Sequence, residues 1–375
     1  MERLYWTEPE IFEAEVEVKS VDGNRVTIEP VLFHPDEGGQ PADKGNIGEA
    51  EVLKVEIRNG EVLHTLDKCI SEGKHPARLD KPHRIHTASQ HTAQHIISGI
   101  AESQFKLNTV GVHIGMERCT VDFDKAVDWK TLQVIEQQAM EVVGQNLTVE
   151  TVFNDADVRV RSDLKEIESE VIRVVKIGEI DKSACCGAHL KSTGRIGIIR
   201  IFDSEKKKSG TRVYFLAGRK ALEFSQLETS VMQELRKSVR CATADLPEII
   251  QKNIEQSRKL NKEVNRLWTN QLPELVKTAD IIEYESSEIG IQVVEVPARL
   301  TTKLAAMIAE EIGAGIVVNV KNISIYSETL DANELFEKIQ VVAGGRGGGS
   351  AKAVNGVLEK VLAVEEIKAV LGDMS

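Results

Sequence analysis

Two pairs of metal-ligand residues stand out in the sequence, and in each pair the partners are four positions apart. His91 and His95 lie in "QHTAQHIISG", where apolar residues recur with a helical period, so both imidazoles face one side of a predicted helix. Cys185 and His189 lie in "SACCGAHL", in a predicted strand-to-loop segment. Three nitrogens and one sulfur are a normal ligand set for tetrahedral zinc. The two pairs together predict a zinc site, provided that the helix and the loop pack against each other.

Other residues compete for places in this site. Cys186 is an alternative thiolate ligand, and His83, His86 and His113 are further histidines that could substitute. A closed set of four protein ligands is typical of a structural ion, whereas catalysis needs a position for water or substrate, so the ligand count does not decide between the two. No glutamate lies between His91 and His95, which excludes the H-E-x-x-H metalloprotease pattern.

Composition limits the class of protein. The chain has 375 residues, 41% of them hydrophobic, which is enough for two or three domains. Five cysteines are too few for a disulfide framework and indicate a reducing cytoplasm. The sequence has no long apolar run, and the start "MERLYWTEPE" lacks signal-peptide features, so we expect no membrane segment and no signal peptide. No Walker loop or Rossmann fingerprint is present, so no nucleotide-binding fold is expected.

The elements that must position the metal ligands alternate in type along the chain. Residues 11–66 predict a small β-barrel or sheet, with hairpins around "DGN" and "RNGE". A helix is predicted from His86 to about Phe105, and a second over "DWKTLQVIEQQAMEVVGQN". "DADVRVRSDLKEI" predicts another helix, and "EVIRVVKIGEID", "GRIGIIRIFDSE" and "TRVYFLAG" predict strands. The fold class is therefore α+β.

The C-terminal part has a different character. Residues 219–271 contain no glycine and one proline, which predicts a pair of long helices that resembles a coiled-coil arm. Strands and helices then alternate. The glycine run Gly344–Gly349 in "VVAGGRGGGSAKAVNGVLEKVL" is predicted to open a helix, where backbone N–H groups could approach a phosphate; a flexible loop is the alternative.

A basic segment follows the Cys/His loop directly. In a chain of net charge −12, residues 191–220 carry nine basic side chains against two acidic ones, a local charge of +7. Such a patch is where an acidic protein would contact RNA, and a solvated loop is the alternative. The basic side chains are Lys191, Arg195, Arg200, Lys206, Lys207, Lys208, Arg212, Arg219 and Lys220.

At these residues the chain resembles a known family. "HTAQH" and "CCGAH" match the H-x3-H and C-x-G-x-H motifs of the editing domain of alanyl-tRNA synthetase and of its free-standing relatives, the AlaX proteins. "FHPDEGGQPADKG" resembles the family's GGQ segment, "KKKSGTRVYFLAGRKAL" the end of its editing domain, and "GGRGGGS" the glycine-rich motif of its DHH-associated C-terminal domain. The order is that of the long AlaX form. The family's usual loop is C-G-G-T-H, so Cys186 and Ala188 depart from it.

The resemblance implies an architecture and an activity. It implies a β-rich N-terminal subdomain at 1–80, a zinc-dependent editing domain of the threonyl/alanyl-tRNA synthetase second-additional-domain type at 81–217, a helical arm at 218–275, and a glycine-rich-motif domain at 276–375 for tRNA binding and dimerisation. It further implies a cytoplasmic aminoacyl-tRNA deacylase, a homodimer, that hydrolyses alanine tRNA mischarged with serine or glycine, in trans. Zinc would activate water or orient the substrate.

The resemblance also suggests roles for residues outside the ligand set. Thr92 could hydrogen-bond a serine hydroxyl, or be ordinary helix surface. His113 could touch the tRNA terminus or move a proton, or be a core histidine. Gly38, Gly39 and Gln40 could bring backbone and an amide to the substrate, or form a tight turn. Lys206–Lys208, Arg212 and the run Gly344, Gly345, Arg346, Gly347, Gly348 and Gly349 are the expected tRNA contacts.

Two other classes of protein fit the same residues. A zinc-stabilised RNA-binding protein would bind tRNA without turnover. A metallohydrolase of another ester or amide would cleave small esters and leave aminoacyl-tRNA intact.

Overall fold

The computed structural model describes residues 2–154 and 172–372. The chain divides into two compact units, Met1–Leu235 and Arg236–Ser375. Each unit combines helices with β-sheet, which confirms the α+β class. Among the described residues, no helix combines the length and apolar character needed to cross a bilayer.

The first unit begins with a closed six-stranded barrel, which confirms the barrel predicted for the N-terminal region. The predicted hairpin turns are present, and Asn59 and Gly60 both adopt the positive φ that a tight two-residue turn requires. The order of strands around the barrel is β1-β2-β5-β4-β3-β6. A short helix, α1 (Leu4–Thr7), precedes the strands β1 (Glu13–Asp22), β2 (Arg25–Glu29), β3 (Gly45–Ile47), β4 (Ala50–Arg58), β5 (Glu61–Leu66) and β6 (Gly73–Leu79).

Helices and two small sheets complete the first unit. Strands β9, β10 and β11 form a three-stranded sheet, and the other four form a sheet in the order β12-β13-β8-β7. The helix predicted over "DADVRVRSDLKEI" lies outside the described residues. The elements are α2 (Lys81–Phe105), β7 (Thr109–His113), β8 (Cys119–Phe123), α3 (Trp129–Gln145), β9 (Val149–Phe153), β10 (Arg173–Ile177), β11 (Asp181–Ala184), β12 (Ile199–Lys207), β13 (Gly210–Ala217) and α4 (Gly218–Val239).

Helix α2 is the central element of this unit and is buried along most of its length. It begins five residues before the predicted start, because the Asp80 side chain accepts the His83 N–H and caps the helix. Ile96, Ile97 and Ile100 pack in the main core. At Gly99 an added Cβ would lie 2.2 Å from the carbonyl oxygen of Ile180, so only glycine allows α2 to approach the turn before β11 this closely. This contact brings the helix and the Cys/His loop together.

The second unit packs helices against a six-stranded sheet of order β14-β15-β16-β17-β19-β18. The two long helices predicted between residues 219 and 271 are present as α4 and α5, and α5 continues past Pro273. The elements are α5 (Leu246–Lys277), β14 (Asp280–Tyr284), β15 (Ser287–Val293), α6 (Ala298–Ile312), β16 (Ala314–Asn319), β17 (Asn322–Ser327), α7 (Ala332–Ala343), β18 (Arg346–Gly349), β19 (Ala353–Val357) and α8 (Val364–Gly372).

The helix predicted after the glycine run is wrong. Gly344 and Gly345 have positive φ and end α7, and the chain then forms the hairpin β18–β19 at one edge of the sheet. The glycines of this hairpin are needed for packing, since a Cβ at Gly347 or Gly356 would lie 2.6 Å from the Phe336 ring. A helix-start phosphate site at this run therefore has no helix to supply it.

Candidate metal centre

Four side chains meet at the junction of α2 and the loop after β11. Ligand atoms of His91, His95, Cys185 and His189 all lie within 4.8 Å of one another, and all four residues are buried. The structure therefore brings together the two residue pairs that the sequence singled out.

The spacing of these atoms fits a zinc ion. The Cys185 Sγ lies 3.3 Å from the Nε2 of His91 and 3.3 Å from the Nε2 of His189. Zinc bonds of about 2.3 Å to sulfur and about 2.0–2.1 Å to nitrogen, at tetrahedral angles, separate two such ligands by roughly 3.5 Å. Three imidazoles and one thiolate are also the donor types that zinc prefers.

Each histidine of the cluster is oriented through its other ring nitrogen. His91 Nδ1 lies 2.7 Å from Gln40 Oε1, and His95 Nδ1 lies 2.7 Å from Asp181 Oδ2. His189 Nδ1 is 3.3 Å from the Thr92 hydroxyl. Because the Nδ1–H groups are directed to these oxygens, the Nε2 atoms are left for a metal, as is usual for zinc-binding histidines.

The loop after β11 is shaped to fit against the histidines. A Cβ at Gly187 would lie 2.1 Å from Cε1 and 2.2 Å from Nδ1 of His91, so no larger residue fits there.

The thiol pKa distinguishes the two adjacent cysteines, Cys185 and Cys186. Burial alone would raise the pKa of the Cys185 thiol, but the neighbouring histidines outweigh it and hold this pKa well below its usual value. Burial and the charge of Glu37 raise the pKa of Cys186 to about 12, so it stays a neutral thiol and lies outside the cluster.

Three successive carbonyl groups of this loop are held from the opposite side. Arg173 donates to the carbonyl oxygens of Cys185 and Gly187, at 3.0 and 2.7 Å. Trp6 Nε1 donates to the carbonyl oxygen of Cys186 at 2.8 Å. The N-terminal helix and β10 thus fix the backbone that carries two of the four ligand side chains.

Comparison with known proteins shows which proteins this chain is similar to. The family described as "Threonyl and Alanyl tRNA synthetase second additional domain" matches residues 172–214, which include Cys185 and His189. The alanyl-tRNA editing protein Aarsd1 of Rattus norvegicus is 28% identical over 94% of this chain and 89% of its own length. The alanyl-tRNA editing protein AlaX-L of Pyrococcus horikoshii is 28% identical over 71% of this chain and 70% of its own length. This chain is a long-form homologue of the alanyl-tRNA editing proteins.

Two further comparisons mark the limits of this relationship. The alanine–tRNA ligase of Archaeoglobus fulgidus is 28% identical over 99% of this chain, but the matched region is only 43% of the ligase. Among solved structures, RecJ of Thermus thermophilus aligns with 35% of this chain and 19% of its own, at 16% identity and a TM-score of 0.24. That similarity is too low to support any statement about the fold of this chain.

The other residues predicted for the site of this editing-protein homologue lie at different distances from the cluster. Gln40 is buried and touches both His91 and the loop, since its Oε1 also accepts the Ala188 N–H at 3.1 Å. Gly38 and Gly39 precede it with positive φ, and a Cβ at Gly39 would lie 2.9 Å from the carbonyl oxygen of Val112. The GGQ segment is therefore a tight turn that also contributes a side chain to the site.

Thr92 and His113 do not occupy equivalent positions. The Thr92 hydroxyl donates to the carbonyl oxygen of Ala88 at 2.8 Å and accepts the Leu190 N–H at 3.1 Å, so its hydrogen-bonding capacity is used within the protein. His113 is exposed at the end of β7 and lies outside the cluster. The spare histidines His83 and His86 each bond a backbone carbonyl, of Ala42 and Gly115.

The basic segment is less positive than its sequence suggests. Seven of its nine basic side chains lie within 4.0 Å of a carboxylate. Arg212, for example, forms two 2.7 Å hydrogen bonds to Asp122. In the part of the chain that the structure describes, Lys206 and Lys208 have no ion-pair partner, and both lie at the tip of the β12–β13 hairpin.

Sequence reasoning missed the residues that support the cluster. Asp181 and Ser183 lie on the same face of β11, four and two positions before Cys185, and both bond His95 Nδ1. That alternation was a usable signal. The sequence shows Arg173 only as a charged residue within an apolar strand. It gives no sign of the role of Trp6, because Trp6 bonds the carbonyl oxygen of Cys186, which lies 180 positions away.

Proposed function

We propose that this protein is a zinc-dependent aminoacyl-tRNA deacylase that hydrolyses mischarged alanine tRNA in trans, in the cytoplasm. One observation carries the proposal: a buried cluster of three histidines and one cysteine, with every imidazole oriented by an outer hydrogen bond, in a homologue of alanyl-tRNA editing proteins. Serine and glycine are the proposed amino acids, since both are small enough to be mistaken for alanine.

The residues of the cluster fit zinc in donor type and in spacing, and His91, His95, Cys185 and His189 would hold it. A zinc ion bound there supplies Lewis acidity towards water or an ester carbonyl. The burial of all four ligands restricts the space around them, which favours a small aminoacyl group over a large one.

Gln40 has two separable roles in this proposal. Its Oε1 fixes the orientation of His91 and of the loop at Ala188. Its Nε2 is buried and has no hydrogen-bond partner among the described residues. A buried amide N–H without a partner is costly, so a ligand oxygen is expected to complete it. The carbonyl oxygen of the ester, which gains negative charge during hydrolysis, is the proposed partner.

Thr92 and His113 have supporting roles. Because the Thr92 hydroxyl is bonded to Ala88, Leu190 and His189, it orients the Cys/His loop against α2. His113 lies on β7 next to the GGQ turn, where the Ile114 N–H donates to the carbonyl oxygen of Gly39. From this exposed position His113 would contact the tRNA terminus.

The remaining parts of the chain would bind the tRNA body and a second copy of the protein. The domain boundaries proposed from the sequence are 1–80, 81–217, 218–275 and 276–375, with a DHH-associated fold for the last. The long helices α4 and α5 expose apolar side chains that a partner chain would cover. Lys206, Lys208 and Arg346 are exposed cations, and Gly344–Gly349 would present backbone groups to RNA.

Deacylation of Ser-, Gly- and Ala-tRNA(Ala), measured side by side, tests the proposal. We expect release of serine or glycine much faster than of alanine. Cys185→Ala should abolish the release, whereas Cys241→Ala, at a half-buried position of the second unit, should not. Binding without turnover would indicate a zinc-stabilised RNA-binding protein, and cleavage of small aminoacyl esters alone would indicate a different metallohydrolase.

A further inference from the structure

A second feature lies on the outer side of the Cys/His loop. A cavity of about 200 Å³ lies beside this loop, and His189 of the metal cluster is one of the residues that line it. Its walls combine a buried cation, two aromatic rings and a surface lysine. The residues that line it include Trp6, Thr151, Phe153, Arg173, His189 and Lys191.

Arg173, which lines this cavity, is a buried cation with no carboxylate partner among the described residues. It is 4% exposed, and its four hydrogen bonds all go to neutral acceptors, namely three backbone carbonyl oxygens and the Thr151 hydroxyl. Within the described residues no carboxylate lies within ion-pair distance of Arg173, and its Nε has no hydrogen-bond partner. Its Cζ lies 5.9 Å from the centroid of the Trp6 ring, which offsets only part of the cost of burying the charge. An anion at this cavity would supply the counter-charge that no carboxylate provides.

The aromatic wall faces solvent beside this charge. Phe153 is 41% exposed, and its ring centroid lies 6.2 Å from that of Trp6. Trp6 already has partners within the protein. Its Nε1 donates to the carbonyl oxygen of Cys186, and the Cζ of Arg3 lies 4.3 Å from the centroid of its ring. Phe153 is therefore the ring that is open to a ligand. An exposed phenylalanine alone is ordinary, but an exposed ring beside an unpaired cation is the combination that single-stranded RNA sites use.

Lys191 provides a second cation at the rim. Its Nζ lies 2.5 Å from a carboxylate oxygen of Glu8, and both side chains are about half exposed. Exposed ion pairs of this kind contribute little to stability, so a phosphate can replace the carboxylate at small cost.

We propose that this cavity binds one nucleotide of the single-stranded 3′ end of the tRNA, with its base on Phe153 and its phosphate facing Arg173 and Lys191. This inference rests on the proposed function, because it places RNA next to the metal centre. Arg173 and Trp6 bond the carbonyl groups of the same loop whose side chains form the cluster, so a nucleotide here lies close to the ester. About 200 Å³ accommodates the phosphate while the base stacks on the exposed Phe153 ring at the edge of the cavity, and it does not accommodate a longer stretch of RNA.

Binding of two RNA hairpins to the full-length zinc-loaded protein tests the aromatic part. One hairpin ends in single-stranded CCA and the other lacks it. Phe153→Leu should weaken binding of the CCA hairpin by about 5- to 100-fold, which is the usual effect of losing one stacked base, and leave the other hairpin unchanged. Trp129→Leu is the matched control, since Trp129 is 44% exposed on α3, and it should affect neither hairpin.

The cationic part is tested by salt dependence. Lys191→Gln should flatten the plot of log affinity against log salt by roughly 0.7, the slope of one phosphate contact with a single strand. Lys74→Gln is the control, because Lys74 is an exposed lysine paired with Glu15 on the barrel. Equal weakening of both hairpins by Phe153→Leu, or an unchanged slope in Lys191→Gln, would overturn the inference.

The outcomes separate this inference from the proposed function. If Phe153→Leu selectively weakens CCA binding but no aminoacyl-tRNA is deacylated, the nucleotide site stands and the hydrolytic function fails. If deacylation is observed but Phe153→Leu binds the CCA hairpin as tightly as the parent protein, the nucleotide site alone fails. Zinc content of each variant shows that the metal centre is intact.

Discussion

Gln40 Oε1 lies 2.7 Å from His91 Nδ1, although 51 positions separate the two residues. Gln40 belongs to the segment between β2 and β3 of the barrel, and His91 belongs to α2. The orientation of one metal-ligand residue is thus set by a different substructure from the one that carries it. The same amide oxygen also holds Ala188, so the barrel fixes both the helix and the loop of the metal centre.

Removal of the ligand thiol should remove the metal. Cys185→Ala and His95→Ala should lose nearly all bound zinc, because three remaining donors hold the ion much more weakly. Cys186→Ala should retain zinc, since the raised pKa of Cys186 keeps it a neutral thiol outside the cluster. Metal analysis of purified variants checks this. Zinc retained in Cys185→Ala and lost in Cys186→Ala would reverse the ligand assignment.

The two roles of Gln40 can be separated by substitution. Gln40→Glu keeps an oxygen acceptor for His91 and for the Ala188 N–H but removes the Nε2 donor. It should therefore retain zinc and lose deacylation. Gln40→Ala removes both roles and should lower zinc affinity by about 10- to 100-fold. Zinc titration and deacylation rates, measured on both variants, distinguish the two roles. Full activity in Gln40→Glu would show that Nε2 is not used in deacylation.

Thr92 should behave as a support of the loop. Thr92→Val leaves the Leu190 N–H without an acceptor, and should lower the free energy of unfolding by about 1–3 kcal/mol and weaken zinc binding. Thr92→Ser restores the hydroxyl and should recover both properties. Thermal unfolding with zinc titration measures them. A variant with normal stability and zinc affinity but altered preference for serine over glycine would instead make Thr92 a substrate contact.

The lysines at the β12–β13 hairpin tip should contribute to RNA affinity through charge alone. Replacing Lys206, Lys207 and Lys208 with alanine should reduce the salt dependence of tRNA binding by roughly 0.7–0.9 log units per lost contact. Hydrolysis of a small aminoacyl ester should not change. A triple substitution of Lys54, Lys68 and Lys74 on the barrel is a charge-matched control. Identical slopes for both triple variants would show that the hairpin tip does not contact RNA.

The apolar side chains of α5 should support self-association. Leu260 and Leu267 are 58% and 52% exposed and lie on one side of this helix. Leu260→Lys with Leu267→Lys should convert the proposed dimer to a monomer, as measured by sedimentation equilibrium. Glu255→Lys makes the same change in charge on the opposite side and should leave the mass unchanged. A parent protein that is already monomeric would rule the dimer out.

The sequence predicted the parts of this site that depend on local spacing. The positions of His91 and His95 follow from the helical period, and the barrel hairpins follow from turn residues such as Asn59 and Gly60. The pairing of Cys185 with the histidines was predicted from ligand chemistry. None of these predictions needed knowledge of a distant contact.

The parts that could not be predicted depend on contacts between distant residues. The pattern "AKAVNGVLEKVL" is compatible with a helix or a strand. In the structure its first part forms a strand of the β18–β19 hairpin, in which Gly347 and Gly356 pack against the Phe336 ring. Arg173 reads as a charge within a strand, and its role depends on carbonyl groups placed by the loop.

Trp6 and Gln40 also have a consequence for how such a protein can be rearranged by recombination. Both contact the metal-binding loop or its histidine from the part of the chain before residue 81. A gene fragment that encodes residues 81–217 alone would transfer all four ligands and leave behind two of the groups that orient them. A gene fragment that encodes the intact metal centre must therefore include α1, which carries Trp6, as well as the barrel. The barrel and the region that carries the four ligands are thus expected to be inherited together.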